Sequence, residues 1–136
     1  MDIAEALQFL GQNHRSVLIT RRRDGEPNPS PVVHGVDDSG RVLVSSREAA
    51  YKVRNLRSDP RAVICGFRDE FFGRWVQLRG TAEVVSLPEA MDTLEALYRQ
   101  VAGEHPDWDD YRAAMQHEHR VIIAITPTSA GPDRQA

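Results

Sequence analysis

Val44-Ser45-Ser46-Arg47-Glu48-Ala49-Ala50-Tyr51-Lys52-Val53-Arg54-Asn55-Leu56-Arg57-Ser58-Asp59-Pro60-Arg61-Ala62 changes its hydrophobic period twice. It enters on the β-branched run Arg41-Val42-Leu43-Val44-Ser45, which reads as a strand. Residues 48–57 then place Ala49, Ala50, Val53 and Leu56 at helical spacing among charges, which predicts a short helix. Ser58-Asp59-Pro60 ends it, because the residue before a proline is pushed out of the helical region. Arg61 to Phe67 returns to a strand pattern.

Upstream, Asp2-Ile3-Ala4-Glu5 has the spacing of a capping box. Ile3, Ala6, Leu7 and Leu10 follow at helical spacing, with Gly11 as the expected stop. Ser16 to Thr20 reads as a strand, and Asp24-Gly25 is a strong turn signal. Ser30 to Val36 is the next extended run, and Pro31 marks it as an edge or an irregular point. Asp37-Asp38-Ser39-Gly40 turns the chain into the strand that leads to Ser45. Three strands joined by two short turns make an antiparallel meander.

Downstream, Trp75 to Val85 alternates as a long strand with Gly80 as a bulge. Ser86-Leu87-Pro88-Glu89 has capping-box spacing ahead of a helix carrying Met91, Leu94, Leu97, Tyr98 and Val101 to Gly103. Trp108 to His117 predicts one more helix, and Arg120 to Ile125 a last strand apolar enough to be central. Thr126 to Ala136 contains Pro127, Gly131 and Pro132 and is expected to fray. The expected organisation is one compact domain over residues 1–126 and a flexible tail over 127–136. Six strands without βαβ alternation exclude a doubly wound sheet and predict a mainly β fold, a small antiparallel barrel with flanking helices. A barrel of this size has no lumen for a large ligand, which would sit on its outside or between subunits.

The 136 residues are 40% hydrophobic and 27% charged, ordinary for a soluble protein. A net charge of −3 argues against a general nucleic-acid binder. Residues 11–80 nonetheless hold 13 basic against 8 acidic side chains, so that part can meet an anionic small molecule. No window is long and apolar enough for a membrane helix, and the acidic N-terminus lacks the basic region of a secretory signal. Cys65 stands alone in an apolar run and reads as a small buried hydrophobe. The cytoplasm is the expected compartment.

Lys52 is the one lysine among sixteen arginines. An ammonium is a compact point charge that a planar guanidinium does not imitate. Lys52 follows the hydroxyls of Ser45 and Ser46 and opens a helix, whose N-terminal N–H groups favour anions. With Arg54 this arrangement suits a phosphate ester; the alternative is a solvated basic helix.

Tyr51-Lys52-Val53-Arg54-Asn55-Leu56-Arg57-Ser58-Asp59-Pro60-Arg61-Ala62 resembles the signature of the pyridoxamine 5′-phosphate oxidase-like split-barrel proteins. The segment from Leu94 to Met115, with Tyr98-Arg99-Gln100-Val101-Ala102-Gly103-Glu104-His105-Pro106-Asp107-Trp108, resembles the actinobacterial branch that uses the deazaflavin F420. The resemblance implies a six-stranded split β-barrel of the FMN-binding type. It also implies a homodimer with cofactor sites at the subunit interface. Carried over by position, Ser45, Ser46, Tyr51, Lys52 and Arg54 face the phosphate-bearing chain of the cofactor. Ser30, Val32, Val33 and His34 lie on the strand beside its ring, and Trp75 reaches it from the partner subunit. FMN-using members usually carry a base where this chain has Tyr51; the replacement leaves Lys52 as the main charge at that end and weakens the case for tight FMN binding.

The implied activity is hydride transfer from reduced F420 to an organic acceptor. Alternatives are an FMN-dependent oxidoreductase of the same fold and a cofactor-binding or storage protein without turnover. His34 and Tyr51 are the candidate proton donors. Residues 68–75, with Phe71 and Phe72, are the expected lip of the acceptor pocket. Arg21, Arg22 and Arg23 are candidates for an acidic cofactor tail, against a solvated turn. His117-Glu118-His119 lacks the i, i+4 spacing of a helical metal pair, so no metal site is expected.

Overall fold

The computed structural model describes residues 1–132. Its strands are β1 (Arg15–Arg21), β2 (Pro27–Val36), β3 (Val42–Arg47), β4 (Arg61–Phe67), β5 (Trp75–Val85) and β6 (Arg120–Gly131). Its helices are α1 (Ile3–Gln12), α2 (Tyr51–Ser58), α3 (Met91–Ala102) and α4 (Trp108–His117). The strands form the predicted antiparallel barrel, every pair antiparallel, and close in the order β1-β2-β3-β6-β5-β4.

Strand alternation decides what lies inside. Leu18, Val44, Ile64, Leu78, Ile123 and Ile125 fill the barrel, while Leu10 of α1 and Val53 and Leu56 of α2 pack onto the same cluster. The interior is therefore side chains, with no lumen for a ligand. The opposite parity of β3 and β6 turns Leu43, Ile122 and Ala124 outward, where Leu94, Leu97, Tyr111 and Met115 of α3 and α4 cover them. No helix of the described chain is long and apolar enough to cross a membrane.

The β2–β3 ladder is short. It pairs only His34, Gly35 and Val36 with Val44, Leu43 and Val42, whereas β1 pairs with β2 from Val33 back to Pro27. The barrel is thus split along one seam. Pro27, Pro29 and Pro31 sit on that free run, where a missing N–H removes nothing from a second ladder. Beyond the seam, α3 docks on β2 through Gln100. Its amide accepts from Val36 N–H and donates to Val36 O, both at 2.7 Å. Gly35 permits this approach, since a Cβ there would stand 2.7 Å from both Gln100 Oε1 and Leu97 Cδ1.

Several sequence boundaries need correction. β2 begins at Pro27, because the β1 hairpin register runs on to Arg21 opposite Pro27. Gly11 does not stop α1, which ends at Gln12 with Asn13 N–H bonded to Phe9 O. The helix predicted from residue 48 begins at Tyr51, after a turn in which Ala50 N–H reaches Arg47 O. Ser86 caps nothing: residues 86–90 form turns, α3 starts at Met91, and the Ser86 hydroxyl faces Glu48. The predicted tail is strand as far as Gly131, since Thr126 to Gly131 pair with Thr81 back to Gln77 of β5. Residues 133–136 of that predicted tail lie outside the described chain.

The predicted bulge is present, as a register shift between Arg79 and Gly80. A Cβ at Gly80 would collide with the backbone carbonyl of Thr126, which cannot swing aside; at Gly35 the obstacles are side-chain ends. Gly80→Ala is expected to lose about 1–3 kcal/mol of stability and Gly35→Ala clearly less. Urea unfolding of the two variants checks the order, and equal losses contradict it.

Candidate functional site

The split seam opens into a groove of about 580 Å³. One wall is the free run of β2 at Pro31, Val32 and Val33, and the other is α3 and α4 through Leu94, Leu97, Tyr98, Val101, Ala102, Tyr111 and Met115. Ser45, Lys52 and Arg120 supply its polar lining. Small-molecule sites have this character, largely apolar with a few placed polar groups, at volumes of roughly 300–1,000 Å³.

The helical wall is held firmly. Arg112 of α4 forks onto Glu95 of α3 with two bonds of 2.9 Å, and that carboxylate is nearly buried. The Arg112 guanidinium holds the Glu95 carboxyl below its ordinary range. Tyr111 Oη donates to Leu94 O at 3.0 Å. Tyr98, Trp108 and Tyr111 meet edge to face, and Arg99 stacks on Trp108. Asp107 caps α4, its carboxylate accepting from Asp110 N–H.

Of the predicted site residues, Val32, Val33, Ser45 and Lys52 come together in this groove. Neither Lys52 Nζ nor Ser45 Oγ has a protein partner among the described residues, so both are free to donate. Ser46 is one residue on and faces the interior, buried, with its hydroxyl donating to Arg47 O. Ser30 also points inward, opposite Leu18 on β1, and its Oγ is buried without a partner. Tyr51 is 74% exposed and Arg54 lies against its ring. Arg54 follows Lys52 by two helical positions, about 200° around the axis, so the two diverge. It lines a separate depression with Arg23, Asn55, Arg57 and Ser58. Trp75 starts β5 opposite Phe67 and lines no part of the groove within the chain. Phe71 and Phe72 are 64% and 83% exposed and stack on each other beside Phe67.

His34 is the clearest correction. Its imidazole is fully buried. Nε2 bonds Leu10 O at 3.0 Å, and since a carbonyl only accepts, Nε2 carries the proton. Nδ1 accepts from the Ser16 hydroxyl at 2.7 Å. Both ring nitrogens are used inside the fold, so His34 is not available as a proton donor to a substrate. Periodicity in β2 was unable to reveal this, because Pro31 obscures which parity faces inward.

Arg120 and the α3–α4 wall were missed as site residues. The helical face of Leu94, Leu97, Tyr98 and Val101 was legible as packing. Arg120 had no signal before β6 was known to lie against β3, with Arg120 opposite Arg47.

Burial lowers the His34 pKa from 6.5 to about 4. A base depressed on folding stabilises the fold fully above its unfolded pKa and loses that contribution as pH falls toward the folded value. Stability is therefore expected to drop by about 2–3 kcal/mol between pH 7 and pH 4.5. Urea unfolding at the two pH values measures it; a flat profile contradicts a neutral buried imidazole.

Among solved structures, the fold is similar to the conserved hypothetical protein Rv2991 from Mycobacterium tuberculosis, with 26% identity, a TM-score of 0.77 and coverage of 96% of this chain and 82% of that one. A protein described as an F420 reductase is 23% identical with a TM-score of 0.68, over 91% of this chain and 94% of that one. A putative pyridoxamine 5′-phosphate oxidase from Listeria innocua is 15% identical with a TM-score of 0.68, over 95% of each chain. The sequence itself matches the pyridoxamine 5′-phosphate oxidase family over residues 3–131. With a split six-stranded barrel and a groove at its open seam, the chain belongs to the pyridoxamine 5′-phosphate oxidase family.

Proposed function

We propose that the protein is an oxidoreductase that binds reduced F420 and transfers hydride to an organic acceptor. The observation that carries this reading is the groove itself: an apolar, tyrosine-bearing wall beside two unpartnered donors, Lys52 and Ser45. Such a site suits a flat ring on a phosphate-bearing chain. The fold likeness to an F420 reductase is consistent with it. Bound there, a reduced deazaflavin would supply a hydride. Lys52 Nζ would hold its phosphate as a point charge, with Ser45 Oγ donating beside it, and Leu94, Leu97 and Val101 would keep water from that part of the groove. His34, enclosed by the barrel with both ring nitrogens bonded, would not supply the accompanying proton, which would come from solvent.

FMN is the second reading, favoured by the family match. Tyr51 weighs against it, because it leaves Lys52 without a basic neighbour at that position. FMN that copurifies and gives yellow protein would displace F420. Titration with each cofactor, followed by fluorescence, is expected to show tighter binding of F420. Lys52→Ala is expected to weaken it by about 1–3 kcal/mol, the contribution of a charged hydrogen bond. Unchanged affinity rejects the role of Lys52.

We also propose a homodimer. The outer faces of β1, β4 and β5 present Val17, Ile19, Val63, Cys65, Phe67 and Trp75, which belong to neither buried cluster. Exposed Phe71 and Phe72 continue that apolar surface beside Phe67, and exposed Val33 lies close to the same residue; contiguous apolar surface of this kind marks interaction sites. A second copy seated there would bring Trp75 and residues 68–74 toward the groove of its partner. Light scattering is expected to give the mass of a dimer, and Val63→Glu that of a folded monomer with weakened F420 binding. A wild-type monomer contradicts the arrangement.

A further inference from the structure

The link between α1 and β1 carries a second histidine beside the seam. α1 ends at Gln12, with Asn13 N–H and Nδ2 both donating to Phe9 O, and β1 begins at Arg15. His14 joins them and is tied twice to one residue of β2. Its carbonyl accepts from His34 N–H at 2.9 Å, and its Nδ1 donates to His34 O at 2.9 Å. A carbonyl only accepts, so Nδ1 carries the proton and Nε2 holds a lone pair. Nε2 has no partner among the described residues. Ser30 Oγ is the one partnerless side-chain N or O atom buried among them, so Nε2 of half-buried His14 is open to solvent. His14 lines a depression of about 290 Å³ with Gln12, Asn13, Arg15 and Asp69. Val33 and Val101 line both this depression and the main groove, so the two cavities share a wall. Lys52, Ser45 and Arg120 line only the groove, so His14 stands away from its cationic end.

We infer that His14 Nε2 is the atom that hands the solvent proton to an acceptor bound in the groove. The inference rests on reading the groove as a hydride-transfer site. Hydride added to one end of a polarised double bond moves an electron pair to the other end, and one proton completes the two-electron reduction. The Nε2–H of an imidazolium gives that proton, and the neutral ring takes the next one from water. The Nδ1–H bond to His34 O is made in both protonation states, so the ring keeps its direction while Nε2 gains and loses its proton. His34 offers no such atom, since Leu10 O closes its Nε2, Ser16 closes its Nδ1 and the ring is fully buried. The titratable or charged groups facing His14 are His34 from β2, with ring centroids 6.0 Å apart, and the Arg15–Asp69 pair at 3.4 Å. α1 and α3 contribute Gln12 and Val101, which carry no charge.

Nitrogen NMR of the imidazoles, on the wild type, tests the atom. Neutral His14 is expected to carry its proton on Nδ1 and His34 on Nε2; a proton on Nε2 of neutral His14 overturns the inference. Kinetics test the role, with reduced F420 and cyclohexenone as the acceptor probe. His14→Asn keeps an amide donor for His34 O and lacks the titrating nitrogen. It is expected to bind F420 as the wild type does and to turn over about a hundredfold more slowly. It is also expected to lose the fall in rate that the wild type shows as pH rises through about 5–8. Imidazole added to His14→Ala is expected to recover part of the rate, which a purely structural role would not allow. If His14→Ala fails to fold by circular dichroism, His14→Asn decides alone. An undiminished rate or an unchanged pH profile in His14→Asn overturns the role of His14 and leaves the hydride reading standing. A wild type that does not oxidise reduced F420 removes that reading and the proton role together.

Discussion

The ladder between β2 and β3 stops after three residue pairs, and the site depends on that interruption. Elsewhere the barrel is closed by antiparallel ladders and filled by aliphatic side chains. At the seam, Pro31 to Val33 lose a strand partner, and the outward residues of β3 become a floor. The helices α3 and α4 supply the facing wall because Leu43, Ile122 and Ala124 form an apolar strip they must cover. A groove follows from two ordinary requirements, satisfying the sheet and covering its apolar outer face.

Paired polar groups hold the walls in place. His34 bolts β2 to α1 through Leu10 and to β1 through Ser16, at the point where the seam begins. Gln100 substitutes for a missing strand by pairing with both backbone groups of Val36. Glu95 and Arg112 tie the two helices of the far wall together. At buried His34 and Glu95 an unmet partner would leave a polar group desolvated, which costs more than the bond contributes. Each of those two therefore fixes a position sharply even where its net stabilisation is small.

Charge around α2 is sorted by helical geometry. Lys52 turns into the groove and Arg54 turns away, toward Arg23 and Arg57. Sequence neighbourhood had grouped Lys52 with Arg54. Spatial neighbourhood groups it instead with Arg120, sixty-eight residues on. The guanidinium of Arg120 is held by Glu118, so the polar end of the groove is ordered by the protein before any ligand is considered.

Much was legible in the sequence because it rests on local periodicity and turn chemistry. The six strands, the meander, the Gly80 bulge, the capped first helix and the inserted α2 are all of this kind. So was Lys52, whose isolation among arginines and place after a strand-end serine marked it without any structure. Tertiary structure alone decided which side each residue serves. Ser46 differs from Ser45 only by strand parity, yet it faces the interior and Ser45 faces the groove, while Ser30 on β2 also turns inward. His34 looked available until Leu10 and Ser16 were seen to occupy both its nitrogens. Arg120 carried no local signal at all, because its place in the groove comes from β6 lying beside β3, a long-range pairing that no window of sequence contains.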